Sequence, residues 1–141
     1  MVAKQISVFI ENRKGRLGLV LDVLRENNVN IISMSLADTA EYGILRVISN
    51  NAETGKKALS AAGFSSMLTD VFIVQIPHMP GALQNILRVI SDEELNVEYM
   101  YGLSVAGEEA SIVVKTSDTQ KAEEIFARHN IVTLSEKTLM L

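Results

Sequence analysis

The residues able to do chemistry in this sequence are two histidines, a small basic cluster and two acidic pairs. His78 and His129 are the only histidines, and the absence of cysteine excludes thiolate nucleophiles and disulfides. Neither histidine has a second metal-ligating residue at helix spacing, so no metal site is predicted. The acidic pairs at 93–94 and 108–109 fall at a helix end and a turn, where carboxylates are usually solvated. We predict no catalytic residue and no cofactor.

The basic cluster lies in a turn that leads into a predicted helix. It consists of Arg13, Lys14 and Arg16, and it encloses Gly15. Backbone N–H groups and the helix dipole favour an anion at such a position, and a glycine lets the backbone approach a ligand closely. Asn12 adds a side-chain donor and acceptor. The pattern fits the carboxylate of a small molecule, although a solvated loop beside a helix also fits it.

The sequence repeats this arrangement 66 positions later. Ile6, Val8 and Ile10 alternate with other residues as in a half-buried strand, and Phe72, Val74 and Ile76 do the same. A turn follows each strand, at 12–15 and at 78–81. An apolar helical stripe then follows each turn: Leu17, Val20, Leu21 and Leu24, then Leu83, Ile86, Leu87 and Ile90. The chain is therefore an internal repeat.

Each half predicts the element order βαββαβ. Further strands are expected at about 29–37 and 42–49, and at about 96–105 and 110–116, joined by turns at 40–43 and 106–109. Asn28-Val29 and Asn96-Val97 are taken as equivalent. Second helices are expected at about 52–62 and 118–129, with Asp118 as an N-cap and Gly63 as a stop, and final strands at about 64–69 and 131–139. The predicted fold class is α+β, two ferredoxin-like sandwiches at 1–70 and 71–141 with antiparallel sheets, helices on one face, and the halves paired side by side.

The composition and charge of the chain limit the classes of partner that we expect it to bind. The chain has 48% apolar residues, 5% aromatic residues and a net charge of −4, which disfavours binding to nucleic acid. No apolar run approaches the roughly 20 residues that span a bilayer, and no secretory signal is visible, so we expect no membrane association and a cytoplasmic protein. Residues 1–70 carry 8 basic and 7 acidic groups, whereas residues 71–141 carry 5 and 10. The scattered methionines are interpreted as core residues.

With these features the chain resembles a tandem pair of ACT domains. The family typically has Pro-Gly-x-Leu between its first strand and first helix, and Pro80-Gly81-Ala82-Leu83 matches this pattern. The first half keeps Gly15 and Leu17 but has Lys14 where proline is usual. The resemblance covers essentially the whole chain.

The resemblance implies a stand-alone regulatory protein that binds a small molecule, most often an amino acid, where two ACT units meet. In such pairs the loop after the first strand of one unit faces the second strand of its neighbour. The first implied site joins the loop residues Asn12, Arg13, Lys14, Gly15 and Arg16 to Glu98, Tyr99 and Met100. The second joins His78, Met79, Pro80, Gly81 and Ala82 to Asn30, Ile31 and Ile32.

Several alternatives and partners remain open at this point. A protein-interaction or structural module without a ligand, and a small acylphosphatase-like hydrolase with Arg13 in its phosphate loop, share the predicted topology. Exposed sheet edges favour a homodimer. The resemblance further implies a biosynthetic enzyme in trans as a regulated partner.

Overall fold

The computed structural model describes residues 1–38 and 41–140, which fold into two compact units. One unit is Lys4–Thr69. The other combines Met1–Ala3 with Asp70–Leu141. The boundary that the sequence predicts between residues 70 and 71 stays a prediction.

The unit Lys4–Thr69 is an antiparallel sheet with two helices. Its strands follow the order β2-β3-β1-β4. Its elements are β1 (Ala3–Glu11), α1 (Arg16–Glu26), β2 (Ile31–Asp38), β3 (Tyr42–Ser49), α2 (Ala52–Ala61) and the first residues of β4 (Ser65–Pro77). The core contains the alternating residues Ile6, Val8 and Ile10, packed with Val20 and Leu24 of α1. The alternating apolar residues of β1 therefore pack against the apolar face of α1, as the sequence predicts.

The second unit repeats this architecture in the strand order β5-β6-β4-β7. After β4 it contains α3 (Ala82–Asp92), β5 (Val97–Ala106), β6 (Glu109–Thr116), α4 (Thr119–Arg128), β7 (Thr133–Leu134) and a 3₁₀ turn at Thr138–Met140. Phe72, Val74 and Ile76 line its core, and the rings of Phe72 and Phe126 meet edge to face with their centroids 5.0 Å apart. Both units are ferredoxin-like α+β sandwiches, as predicted.

The second helix of each unit begins at a side-chain cap. The Asn51 side chain accepts a hydrogen bond from the Thr54 N–H at 3.1 Å, and Asp118 accepts one from Lys121 at 3.0 Å. Gly63 ends α2 with φ 91°, as a residue in the left-handed region does. The predicted cap at Asp118 and the predicted stop at Gly63 are therefore present.

Backbone hydrogen bonds fix the equivalence of the two repeats. The Val29 N–H donates to the Leu24 oxygen at 2.9 Å, and the Leu95 N–H donates to the Ile90 oxygen at 3.1 Å. Residues preceding each donor, Asn28 and Glu94, have φ 59° and 58°. The equivalence assumed between 28–29 and 96–97 is therefore wrong by two positions. Since Ile31 pairs with Ser49 while Val97 pairs with Thr116, the single extra residue lies in the β5–β6 hairpin.

Some element boundaries differ from the predictions. The final strand of the first half and the first strand of the second are one strand, β4, because no turn residue interrupts 65–77. The strand expected at 131–139 shrinks to Thr133–Leu134. The turn at 106–109 forms around Gly107, which has φ 64°, whereas the turn at 40–43 lies partly outside the described residues.

Two predictions of burial are wrong. Leu21 is only half-buried and lies outside the central core cluster, because the α1 stripe turns toward Val20 and Leu24. The methionines with described side chains are exposed rather than buried. They are Met1, Met34, Met67, Met79 and Met100. None of the helices in the described part of the chain has both the length and the hydropathy needed to cross a bilayer.

Candidate functional site

The strand–loop–helix junctions of the two units have nearly the same backbone geometry. Gly15 precedes α1 with φ 85° and ψ −10°, and Gly81 precedes α3 with φ 87° and ψ −12°. The Leu19 N–H donates to the Gly15 oxygen and the Asn85 N–H to the Gly81 oxygen, each at 3.1 Å. A Cβ added at either glycine would meet no atom within 4 Å, so the positive φ is what requires glycine here.

These helix starts have unpaired backbone donors. No side chain caps α1 or α3. Among the described residues, no backbone oxygen accepts from the N–H of Leu17 or Gly18 in α1, or of Leu83 or Gln84 in α3. The first N–H groups of a helix carry its positive dipole end, so each junction can accept a carboxylate.

The side chains of the first loop are exposed and charged. Asn12, Arg13, Lys14 and Gly15 all lie at the surface. The Arg13 Nε atom forms an ion pair with Glu11 Oε2 at 2.7 Å. Both side chains of this ion pair are exposed, so it contributes little to stability. A small cavity of about 80 Å³ lies beside this loop, between Asn12, Arg13 and Leu17.

Arg16, at the first position of α1, packs its side chain on an aromatic ring. Its guanidinium carbon lies 4.7 Å from the centre of the Phe64 ring. The Arg16 Nε atom is buried and has no hydrogen-bond partner. This side chain therefore packs within its own unit as a cation–π partner, and its role in the first site stays a prediction.

The second loop borders two cavities in its own unit. His78, Met79, Pro80 and Gly81 are exposed, and Ala82 is half-buried against the core. A hollow of about 320 Å³ is lined by Pro77, His78, Met79, Glu108 and Glu109. The His78 N–H donates to the Glu108 oxygen at 2.6 Å, which ties the loop to the β5–β6 hairpin.

The larger cavity is a cleft of about 470 Å³ beside the start of α3. We call it the α3 cleft. Its polar lining consists of Gln75, Asn85, Glu109, His129 and Asn130. Its apolar lining consists of Ile76, Pro77, Met79, Pro80, Ala82, Ile86, Ile131 and Val132. A mixed lining of this kind and volume suits a small organic molecule.

His129 is held in place at the cleft by an acidic neighbour. Its Nε2 atom lies 3.2 Å from Glu93 Oε1, and the Arg128 Nη1 atom lies 3.3 Å from the same oxygen. The hydrogen bond from His129 is the main reason that the pKa of Glu93 lies below its ordinary value, and the charge of Arg128 adds to the effect. Within the part of the chain that the structure describes, no three His, Asp or Glu side chains converge as metal ligands.

The second-strand residues of the predicted sites lie at β-bulges. The pairing of β2 shifts register between Ile31 and Ser33, and that of β5 shifts between Val97 and Tyr99. Ile32 and Glu98 therefore occupy matching bulge positions. Bulges are frequent beside functional sites because they redirect side chains.

The flanking residues of these strand segments are partly exposed. Asn30 is tied to Asn50, whose side chain accepts from the Asn30 N–H at 2.8 Å. Glu98 lies 3.8 Å from Lys115, Tyr99 is half-buried, and Met100 is 40% exposed.

Within a single unit, the loop and the second-strand residues do not come together. The Asn12 N–H donates to the Glu41 oxygen, near the end of β2 where Asp38 pairs with Gly43. Ile31 pairs with Ser49 at the opposite end of the strand. A strand advances about 3.3 Å per residue, so this separation is roughly 20 Å.

Three residues that complete the α3 cleft were not predicted from the sequence. Gln75, Asn85 and Asn130 are single polar residues without a motif, and they come from three separate elements. The sequence offered one signal for Asn130, which stands where the first repeat has Gly63. Its φ in the structure is 55°. Asparagine and glycine are the residues that most readily adopt this conformation.

Comparison with known proteins agrees with the fold and the repeat. The family model for the ACT domain pair matches residues 1–141, so the chain belongs to the ACT domain family as a tandem pair. The crystal structure of protein BT0572 from Bacteroides thetaiotaomicron is 36% identical, covers 97% of this chain and 94% of its own, and superposes with a TM-score of 0.91.

More distant structures share the fold alone. The ligand-free regulatory subunit of aspartate kinase from Thermus thermophilus is 14% identical over 92% of this chain and 95% of its own, with a TM-score of 0.64. The corresponding subunit from Thermus flavus is 15% identical over 90% and 95%, with a TM-score of 0.58. No curated protein sequence matches the chain.

Proposed function

We propose that this ACT pair is a regulatory protein that binds a small molecule, an amino acid in the first instance, and that it is not an enzyme. The observation that carries the proposal is the duplicated junction. Gly15 and Gly81 present uncapped helix starts with matching geometry, each beside a cavity. A sensor needs a binding site without a nucleophile or an acid–base pair, and these junctions have that character.

An amino acid matches the groups at the junctions. Its carboxylate can accept hydrogen bonds from the N–H groups of Leu17 and Gly18, with Lys14 adding positive charge. In the second unit, the N–H groups of Leu83 and Gln84 provide the same donors. Glu108 and Glu109 border the second loop and suit the ligand's ammonium group.

The remaining part of the site is a prediction from the family resemblance. It pairs Asn12, Arg13, Lys14, Gly15 and Arg16 with Glu98, Tyr99 and Met100, and His78, Met79, Pro80, Gly81 and Ala82 with Asn30, Ile31 and Ile32. The bulges at Ile32 and Glu98 support the choice of these strand segments. Arg16 has the least support among the residues of the first set, because its side chain packs on Phe64.

The proposal includes partners and a location. As the family resemblance implies, we place the protein in the cytoplasm as a homodimer that acts on a biosynthetic enzyme in trans. The ligand would change the partner's activity only if it binds one conformation more tightly than another. No specific observation on the described residues favours the hydrolase alternative.

A thermal-shift screen of the full chain against the standard amino acids tests the proposal. A ligand at 100 times its Kd adds about 2.7 kcal/mol of stability, which raises Tm by several degrees for a domain of this size. Lys14→Gln should weaken a hit that uses the first junction. The matched control is Lys57→Gln, which removes the same charge at an exposed position of α2.

The screen can also overturn the proposal. A flat response to all amino acids at millimolar concentration would remove amino-acid sensing and favour an interaction module without a ligand. A hit that Lys14→Gln and a substitution at His78 both leave unchanged would place the binding site away from the junctions.

A further inference from the structure

The first helix of each repeat begins with a different residue, and the space beside the two helices also differs. In the unit Lys4–Thr69 this residue is Arg16, whose guanidinium stacks on the Phe64 ring. In the other unit it is Ala82, and the α3 cleft of about 470 Å³ opens beside it. The first repeat therefore has a guanidinium group at this position, whereas the second repeat has only the methyl group of Ala82.

Hydrogen bonding confirms that the compared positions are equivalent. The Phe64 N–H donates to the Leu59 oxygen at 2.9 Å, and the Ile131 N–H donates to the Phe126 oxygen at 2.8 Å. Each of these donors follows a residue with positive φ, Gly63 or Asn130. Ile131 in the α3 cleft therefore occupies the place that Phe64 occupies under the guanidinium of Arg16.

The lining of the α3 cleft suits a guanidinium on an alkyl stem. Ile86 and Ile131 offer an apolar surface to the stem. Polar residues of the lining, among them Asn85 and Asn130, carry side-chain oxygens that can accept its N–H groups. The second half of the chain is also the acidic half, with 10 acidic against 5 basic residues at 71–141.

We propose that the α3 cleft binds a small cationic molecule that carries a guanidinium on a short alkyl stem, in the position that the Arg16 side chain occupies in the first repeat. This ligand needs no carboxylate, and its cleft lies within the unit that contains Asp70–Leu141. The inference therefore stands apart from the proposed amino-acid binding, although Met79, Pro80 and Ala82 belong to both regions.

An NMR titration of the full chain with n-propylguanidinium tests this inference. The probe reproduces the arginine side chain beyond Cα, and n-propylurea is its neutral isostere. We expect saturable shifts of the Ala82, Asn130 and Ile131 amide signals. The affinity for the guanidinium should exceed that for the urea by about tenfold, since charged hydrogen bonds are the stronger ones.

Variants of Ala82 and Arg16 test the comparison of the repeats. Ala82→Arg should fill the cleft with its own side chain and remove the saturable shifts. Ser91→Arg adds the same charge to α3 at an exposed residue outside the cleft lining and should leave them unchanged. Arg16→Ala should open the equivalent space in the first repeat, so that the Gly63 and Phe64 amides respond as well.

A gain-of-affinity variant covers the case in which Ala82→Arg does not fold. Ile131→Phe restores the aromatic ring of the first repeat and should tighten n-propylguanidinium by about two- to fivefold through a cation–π contact. The inference is overturned by equal responses to guanidinium and urea, by no saturable response, or by binding that neither Ile131→Phe nor a folded Ala82→Arg protein alters. Because n-propylguanidinium has no carboxylate, these outcomes do not depend on the amino-acid screen.

Discussion

Single residues set the local conformation on which the junctions depend. Gly15 and Gly81 both adopt φ near +86°, where a Cβ costs about 1–2 kcal/mol in an L-residue even when there is open space around it. Sequence alone could not separate this requirement from close approach of a ligand. The open space around both positions now shows that conformation is the cause in the free protein.

Gly81→Ala should lower the free energy of unfolding by about 1–2 kcal/mol, because alanine is strained at this φ. Gly81→Asn should lower it less, because asparagine tolerates the left-handed region, as Asn28 and Asn130 do here. Urea denaturation of the two variants checks the order. A larger loss for Gly81→Asn than for Gly81→Ala would mean that side-chain size, and not φ, limits this position.

Glu93 provides a pH-dependent contribution at the scale of one side chain. Its pKa is lowered in the folded protein, first by the hydrogen bond from His129 and then by the charge of Arg128, against an opposing effect of burial. A carboxylate with a lowered pKa stabilises the fold above its unfolded pKa, and this stabilisation is lost as the pH falls through the folded value.

We therefore expect Glu93→Gln to lower Tm at pH 6 and to have a smaller effect as the pH falls below 4.5, the ordinary value for this carboxyl. Thermal melts of both proteins between pH 6 and pH 3 measure the difference. Glu124→Gln, which removes an exposed carboxylate of α4, is the matched control. A difference in Tm that is constant with pH would contradict the assigned interaction.

Helices contain glycines in two different environments, and these define a test at the scale of elements. Gly55 of α2 is buried, and a Cβ there would lie 2.6 Å from Ile6 Cδ1 and 3.3 Å from Leu24 Cδ2. Gly18 of α1 is exposed, with nothing within 4 Å of the same atom. The first glycine permits the helix to approach β1, whereas the second only weakens its helix.

Gly18→Ala should raise the free energy of unfolding by about 0.5–1 kcal/mol through better helix propensity. Gly55→Ala should lower it by about 1–3 kcal/mol through overpacking, despite the same gain in propensity. Chemical denaturation of both variants measures whether the free energy of unfolding rises or falls in each. A stabilised Gly55→Ala protein would show that Ile6 can shift without cost.

The helices and strands could be predicted from the sequence because their signals lie in short stretches of the chain and recur in both halves. The alternation at Ile6, Val8 and Ile10 and the cap at Asp118 each have a short-range cause, and they were predicted correctly. The register of the repeats, the continuity of β4 and the exposure of Leu21 depend on tertiary packing. The junction loops were found from their glycines, whereas Gln75, Asn85 and Asn130 meet in the α3 cleft only through the fold.

At the scale of the whole molecule, exposed edge strands make the proposed homodimer testable. In the strand order, β2 is the last strand of the first unit beside β3, and β5 is the last strand of the second unit beside β6. Both strands carry exposed apolar side chains: Leu36 is 51% exposed and Val105 is 60% exposed. Edges of this kind favour association with another chain.

Light scattering after size exclusion should give twice the 15.5 kDa mass of one chain. Leu36→Lys places a charge on the β2 edge and should shift the protein toward the monomer if this edge forms the interface. Leu19→Lys makes the same change on α1, where Leu19 is 48% exposed, and serves as the control. A dimer unaffected by Leu36→Lys would exclude the β2 edge.

The division of the chain into units has a consequence for its synthesis on the ribosome. Lys4–Thr69 is one continuous stretch and can fold as soon as it has emerged. Val2 and Ala3 are made earlier, yet they belong to the other unit, and Val2 packs against a core that begins with Phe72. Val2 must therefore wait for its packing partners until the residues after Thr69 have been translated.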